Sequence, residues 1–318
     1  MAYAVGDQIL DDQYIAFASS SSAPFGYNHF AGTGSGAYGL GQTALGLVNA
    51  GDTITAAQWN SLFTAMANIA NHTNDTLTST GAVTAGDTIA VKAALEADLA
   101  TLAASVAAGC PNATALTTSS ALQTVTTTSE GWDTSATHEV SVTFASADAM
   151  RWFFNGGGKV RITVGTTQAS TSTKDQTFID LGTAIGNLDI GSQVTTRSGS
   201  GETLTTNGLS LGFHDLTTSY QTILKLTSDN ANYTSNAVEI QAKLNAAVGT
   251  ATVITIAMIA TDPAADTQYT NPNTQVSFDI KDTPRMVTTL YTITPNTTEG
   301  LTAVTYVSST ATVSNTVV

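Results

Sequence analysis

The chain has 318 residues, of which only 11% are charged, and 24 Asp and Glu against 10 Lys and Arg give a net charge of -14. That length allows two domains of ordinary size or one large all-β domain. The basic residues are few and the first is Lys92, so no basic patch neutralises phosphates, which argues against nucleic acid and against an anionic membrane surface as partners. The 42% of hydrophobic residues exclude a disordered chain, and polarity comes from Thr, Ser, Asn and Gln.

The opening segment, MAYAVGDQIL, has neither a basic start nor an apolar run, so no secretory signal is expected. It carries the first of three Gly-Asp-x-Ile units, at 6–9, 51–54 and 86–89. Each reads as a tight turn, a short extended piece and a helix start. Residues 1–112 are therefore expected to form an α-helical N-terminal region, with two readings of the repeat open: modules of a docking or attachment surface, or only a turn chemistry that starts helices well. Its candidate assembly residues are Asp7, Ile9, Asp52, Ile54, Trp59, Asp87 and Ile89. The Ser- and Gly-rich stretch 18–48 is long for an internal loop and is expected to be an extended arm lying on a neighbouring subunit.

In 56–72, Trp59, Leu62, Phe63, Met66 and Ile69 define one helical face, with Thr55 as N-cap and Gln58 as its capping-box partner. In 89–107, Val91, Leu95, Leu99, Leu102 and Val106 define another, ended by Gly109 and Pro111. The lone Cys110 permits no intrachain disulfide.

From about residue 113 the period becomes two. Val140, Val142 and Phe144 alternate with polar residues, as do Val160, Ile162 and Val164. So do Val238, Ile240, Ala242 and Leu244, and Val276, Phe278 and Ile280. Further strands are expected near 120–128, 219–227, 251–260, 287–294 and 302–312, and one helix over Phe178, Leu181, Ile185 and Leu188. Residues 113–318 are thus expected to form a β-sandwich or jelly-roll-like domain, in a chain that is mainly β overall.

Motifs of known chemistry lack their context. Gly34–Gly39, GSGAYG, has no buried strand before it and no unbroken helix after it, so it reads as a flexible loop rather than a dinucleotide cradle. His29, His72, His138 and His214 share no metal-ligand spacing, and no G-x-S-x-G elbow occurs. The Asx-rich loops at 229–236 and 262–273 read as turns rather than Ca²⁺ sites. No catalytic residue, cofactor or metal is assigned. In 146–164, Ser146 can cap a short helix carrying Met150, Phe153 and Phe154. Asn155, Gly156, Gly157 and Gly158 then reverse the chain into the strand KVRITV, as a structural turn using positive φ.

That segment, ADAMRWFFNGGGKVRI, resembles a stretch of virion structural proteins of tailed marine and cyanobacterial phages, in which a small helix runs into FFN-x-GG-x-(Ile/Val)-R. The Gly-Asp-x-Ile…Trp-Asn region at 51–60 and the segments STKDQTFIDLGTAIG and FHDLTTSYQTILKL are similar too, so the likeness runs from about residue 5 to 310. Gly156 departs from it, standing where Ala or Ser is expected. The resemblance implies a non-enzymatic virion component, in the tail, baseplate or a fibre rather than at the neck, in a collar or on the capsid. It implies a homo-oligomer, trimeric by analogy with fibres, touching other virion proteins and, as an alternative role, a host surface glycan or protein. A polysaccharide depolymerase is disfavoured by the lack of a repetitive β-helix and of clustered aromatics.

Overall fold

The computed structural model describes residues 11–19, 26–32, 36–79, 81–84, 92–126, 132–166, 172–264, 269–270, 277–278, 286–295 and 313–317. The chain forms two compact units. One joins Met1–Thr117 to Arg151–Gly158 and Thr294–Tyr306, and the other comprises Thr118–Met150, Lys159–Ile293 and Val307–Val318. The boundary expected after residue 112 falls near the first division. A contiguous 113–318 domain does not form, because two later segments belong to the N-terminal, helical unit.

The helical unit holds α1 (Asp11–Ala18), α2 (Tyr27–Phe30), α3 (Ala56–Thr73), α4 (Lys92–Ala107) and the C-terminal part of α5 (Ala147–Asn155). Helix α3 starts where the sequence places it. Thr55 N–H donates to Gln58 Oε1 at 2.7 Å, and Gln58 N–H donates to Thr55 Oγ1 at 3.3 Å, closing the capping box. Its face Trp59, Leu62, Phe63, Met66 and Ile69 is buried, as are Leu95, Leu99, Leu102 and Val106 of α4. Val91 lies outside the described residues. Helix α4 ends in a Schellman motif, with Cys110 N–H on Ser105 C=O and Gly109 N–H on Val106 C=O, both at 2.9 Å.

The stretch 18–48 is not an arm in its described part. Tyr27, Phe30, Ala31 and Leu40 are buried in this unit's own core, with Tyr14, Phe17 and Trp59. Tyr27 and Phe30 bury more favourably against the apolar faces of α3 and α4 than in solvent.

The strands are β1 (Leu116–Thr118), β2 (Gln123–Thr126), β3 (Ser135–Thr143), β4 (Lys159–Thr166), β5 (Asn187–Ile190), β6 (Thr195–Arg197), β7 (Thr203–Asn207), β8 (Gln221–Thr227), β9 (Ala237–Leu244), β10 (Val253–Thr261), β11 (Tyr269–Thr270), β12 (Ser277–Phe278), β13 (Met286–Pro295) and β14 (Val313–Val317). One six-stranded sheet runs β1-β13-β4-β5-β6, with β2 also on β13. A second runs β14-β3-β10-β9-β8-β7, and β11 pairs with β12. Every pairing in the register is antiparallel, and β7 to β10 follow one another as a meander. The chain is therefore mixed α/β with two antiparallel sheets and a strand-rich C-terminal part.

Burial alternates along β3, β4 and β9 as the sequence requires, with Val140 opposite Ile256 and Val142 opposite Ile254 inside. The inner faces of the two sheets meet where His138 Nδ1 of β3 lies 3.0 Å from Thr288 Oγ1 of β13. Helix α6 (Thr173–Ile185) is capped by Ser172 and packs on β4, β8 and β9. Phe178, Leu181 and Ile185 are buried in it, while Leu188, expected on the same helix, belongs to β5. The strand expected at 302–312 lies outside the described residues, as do Val276 and Ile280.

Candidate functional site

Of the three Gly-Asp-x-Ile units, only the middle one is described. Asp7, Ile9, Asp87 and Ile89 lie outside the described residues. Asp52 N–H donates to Asn49 C=O at 3.0 Å, and Asp52 Oδ2 accepts from Asn49 N–H at 2.8 Å, which closes a tight turn. Gly51 N–H donates to Asp11 Oδ2 at 2.9 Å and ties the turn to the start of α1. Ile54 is half-buried against the core. Trp59 is 3% exposed and meets Tyr14 edge-on at 5.6 Å, so it is a core residue, not a surface contact. The unit is turn chemistry that sets α3 on the core. Asp52 alone of its three described candidates is exposed.

The more constructed site is the turn Asn155–Gly158. Its hydrogen bonds are those of a Schellman motif. Gly158 N–H donates to Phe153 C=O at 2.9 Å and Gly157 N–H to Phe154 C=O at 3.1 Å. Of its three glycines only Gly157 uses positive φ, at +90°. Gly158 is required for a different reason, since a Cβ there would lie 2.5 Å from Phe153 C=O.

Three other segments of the helical unit converge on this turn. Asn155, fully buried, donates from Nδ2 to Tyr38 C=O at 2.7 Å and to Gly39 C=O at 3.1 Å. His72, in the last turn of α3, lies with Nε2 2.7 Å from Gly156 C=O. A carbonyl only accepts, so Nε2 carries the hydrogen. A Cβ on Gly157 would sit 3.1 Å from Cys110 C=O, so the ends of α4 and α5 abut. Cys110 itself is buried, and burial first, then the nearby Asp75 charge, push its thiol well above the usual range.

This turn also explains the GSGAYG loop. Its described part presents carbonyls of Gly36, Tyr38 and Gly39 to Asn155, whereas a phosphate cradle would present N–H groups.

Three further polar side chains clasp backbone in the same way. Asn28 accepts from Leu45 N–H at 2.7 Å and donates to its C=O at 2.9 Å. Asn60 does the same to Val83, both at 2.9 Å. Asp98, 4% exposed, accepts from Thr78 and Ser79 N–H at 3.0 and 2.9 Å and also from the Ser79 hydroxyl. The clasps escape sequence reasoning because their partners are backbone groups about 20 residues away. The available signal is an Asn or Asp standing inside a helix, where it is a poor helix former.

In the strand unit, His138 is fully buried, and burial pulls its imidazole down to about 4. His214 sits in the 3-10 turn Phe213–Asp215 against the Phe213 ring at 4.9 Å. On the outer face of the second sheet, Tyr220 donates its hydroxyl to Glu139, and Lys243 Nζ stands 4.1 Å from the Tyr220 ring centre. Arg161 forms a two-point pair with Asp189 at 2.7 and 2.8 Å. At 228–232 the Asx-rich loop is built of side-chain-to-backbone turns, with Asn232 N–H on Asn230 Oδ1 at 3.0 Å. Among the described residues, no group of three or more His, Cys, Asp or Glu is placed to hold a metal ion. No described helix is long and apolar enough to cross a membrane.

Compared with known proteins, the chain matches no protein family, no curated protein and no solved structure.

Proposed function

We propose that the chain is a non-enzymatic structural protein of a tailed-phage virion, placed at the tail, baseplate or fibre. The helical unit docks and the strand unit is displayed. The observation that carries this reading is the position of the segment bearing the phage resemblance. Its turn, Asn155–Gly158, lies at the convergence of residues 38–39, α3 and α4 within the unit expected to dock. The outward positions of the strands add support, being lined by Ser135, Thr137, Ser141, Thr255 and Thr289 more than by charge. We read the strand unit as a β-sandwich of jelly-roll-like kind, with the β7–β10 meander supplying most of one layer. Self-association, as a trimer, is part of the proposal. Light scattering on the purified full-length chain should give a stable mass near three times 32.6 kDa. A monomer at micromolar concentration would remove that part of it.

One observation favours adsorption to a host-surface glycan as a second role. The Tyr220–Glu139–Lys243 cluster offers an aromatic face beside a carboxylate and an ammonium on an outer sheet face. A glycan array probed with the full chain and with Tyr220→Ala tests it, and silence of the wild type would end it.

A further inference from the structure

The first turn of α6 holds a lysine whose side chain has no exposed surface. Lys174 Nζ lies 2.6 Å from Asp262 Oδ2, and the Asp262 side chain is also 0% exposed. Asp262 directly follows β10, where its N–H donates to Thr134 C=O at 2.9 Å. Two groups of one residue, Ala264, bracket the pair. Nζ donates to Ala264 C=O at 2.8 Å, and Ala264 N–H donates to Asp262 Oδ1 at 3.2 Å. The ring of Tyr233 stands 5.7 Å from Nζ.

Removing an ammonium and a carboxylate from water is costly, and burial disfavours the charged form of each. Transfer of one proton from Nζ to Oδ2 removes both charges without moving a heavy atom. It also converts a non-nucleophilic ammonium into an amine and a carboxylate into an acid, the two partners from which an amide forms. Held together in a dry site, such partners react with effective molarities of roughly 10⁵–10⁸ M.

We propose that Lys174 and Asp262 condense to an intrachain isopeptide bond. The amine lone pair forms the N–Cγ bond, the Cγ–Oδ2 bond breaks, and Oδ2 leaves as water. The hydrogens balance within the pair: of the three on the ammonium, one remains as the amide N–H and two depart with Oδ2. The step is redox-neutral, so no oxidant or reductant is needed. The surroundings already suit the product, since Ala264 C=O accepts from the retained N–H and Ala264 N–H donates to the retained Oδ1. The bond would fasten the start of α6 to the end of β10. It does not depend on the virion reading.

Intact-mass measurement of the full-length protein under denaturing conditions tests this directly. The expected mass is that of the sequence less one water, with Met1 removal allowed for. A proteolytic digest should yield one branched peptide joining the segments around 174 and 262. Lys174→Ala and Asp262→Ala should each restore the full mass. If either variant fails to fold, the wild-type mass and digest still decide. A wild-type chain at its full sequence mass, or a water lost at any other residue, would overturn the proposal.

Discussion

Replacing Asn155 by Ala tests the turn that organises the helical unit. The side chain is fully buried and gives hydrogen bonds of 2.7 and 3.1 Å to the carbonyls of Tyr38 and Gly39. Each bond is worth about 1 kcal/mol net, and stranding a buried carbonyl costs about 1–3 kcal/mol, so the loss should be about 2–4 kcal/mol. Ala keeps the helix propensity and the Schellman bonds, which are backbone bonds, so the loss isolates the clasp. The readouts are chemical denaturation followed by tryptophan fluorescence and hydrogen exchange at residues 36–45. Exchange should accelerate there, with the strand unit unaffected. Asn155→Asp should be at least as harmful, because it sets an acceptor against two acceptors. A change under about 0.5 kcal/mol with unaltered exchange, or an Asp variant as stable as wild type, would refute the clasp.

Gly41→Ala puts a Cβ 2.5 Å from the Trp152 ring at a backbone φ of +68°. It should cost about 1–3 kcal/mol and shift the tryptophan emission, and a neutral effect in thermal denaturation would disprove this close approach. His138 is held near 4 when folded against an ordinary 6.5, so the unfolded chain binds the extra proton between those values. Stability from this group is complete above about pH 6.5 and falls by roughly 3 kcal/mol as the pH drops through 4. His138→Asn should flatten the pH dependence of denaturation in that window, and an unchanged slope would contradict it. A 113–318 fragment should bind a hydrophobic dye, because it loses the residue 38–39, His72 and Cys110 partners of Asn155–Gly158. A fragment that binds no more dye than the full chain would show that this turn stands without them.

Features set by neighbouring residues were legible. The Thr55–Gln58 capping box, the buried face of α3 and the Gly109 stop of α4 each depend on a few adjacent positions. So does the alternation in β3, β4 and β9. Short elements were not legible. Helix α1 has only Tyr14, Phe17 and Ala18 to bury, and β7, Thr203–Asn207, is exposed at every position and shows no alternation. The misplacement of residues 26–32 and 36–42 came from composition, since Gly and Ser suggest a loop while Tyr27, Phe30 and Leu40 are what the core needs. Trp59 follows the Gly-Asp-x-Ile repeat, which suggests docking, but its place on the apolar face of α3 makes it core. The return of 151–158 to the helical unit was invisible, because it rests on contacts with residues 38–39, 72 and 110 that no local pattern encodes.

The central proposal is most directly tested by quantitative mass spectrometry of gradient-purified phage particles made from the genome that encodes this chain. Peptides from both units should be present at several copies per particle, and should remain after a high-salt wash. Their absence from intact particles, with the protein abundant in the lysate, would contradict a structural place in the virion.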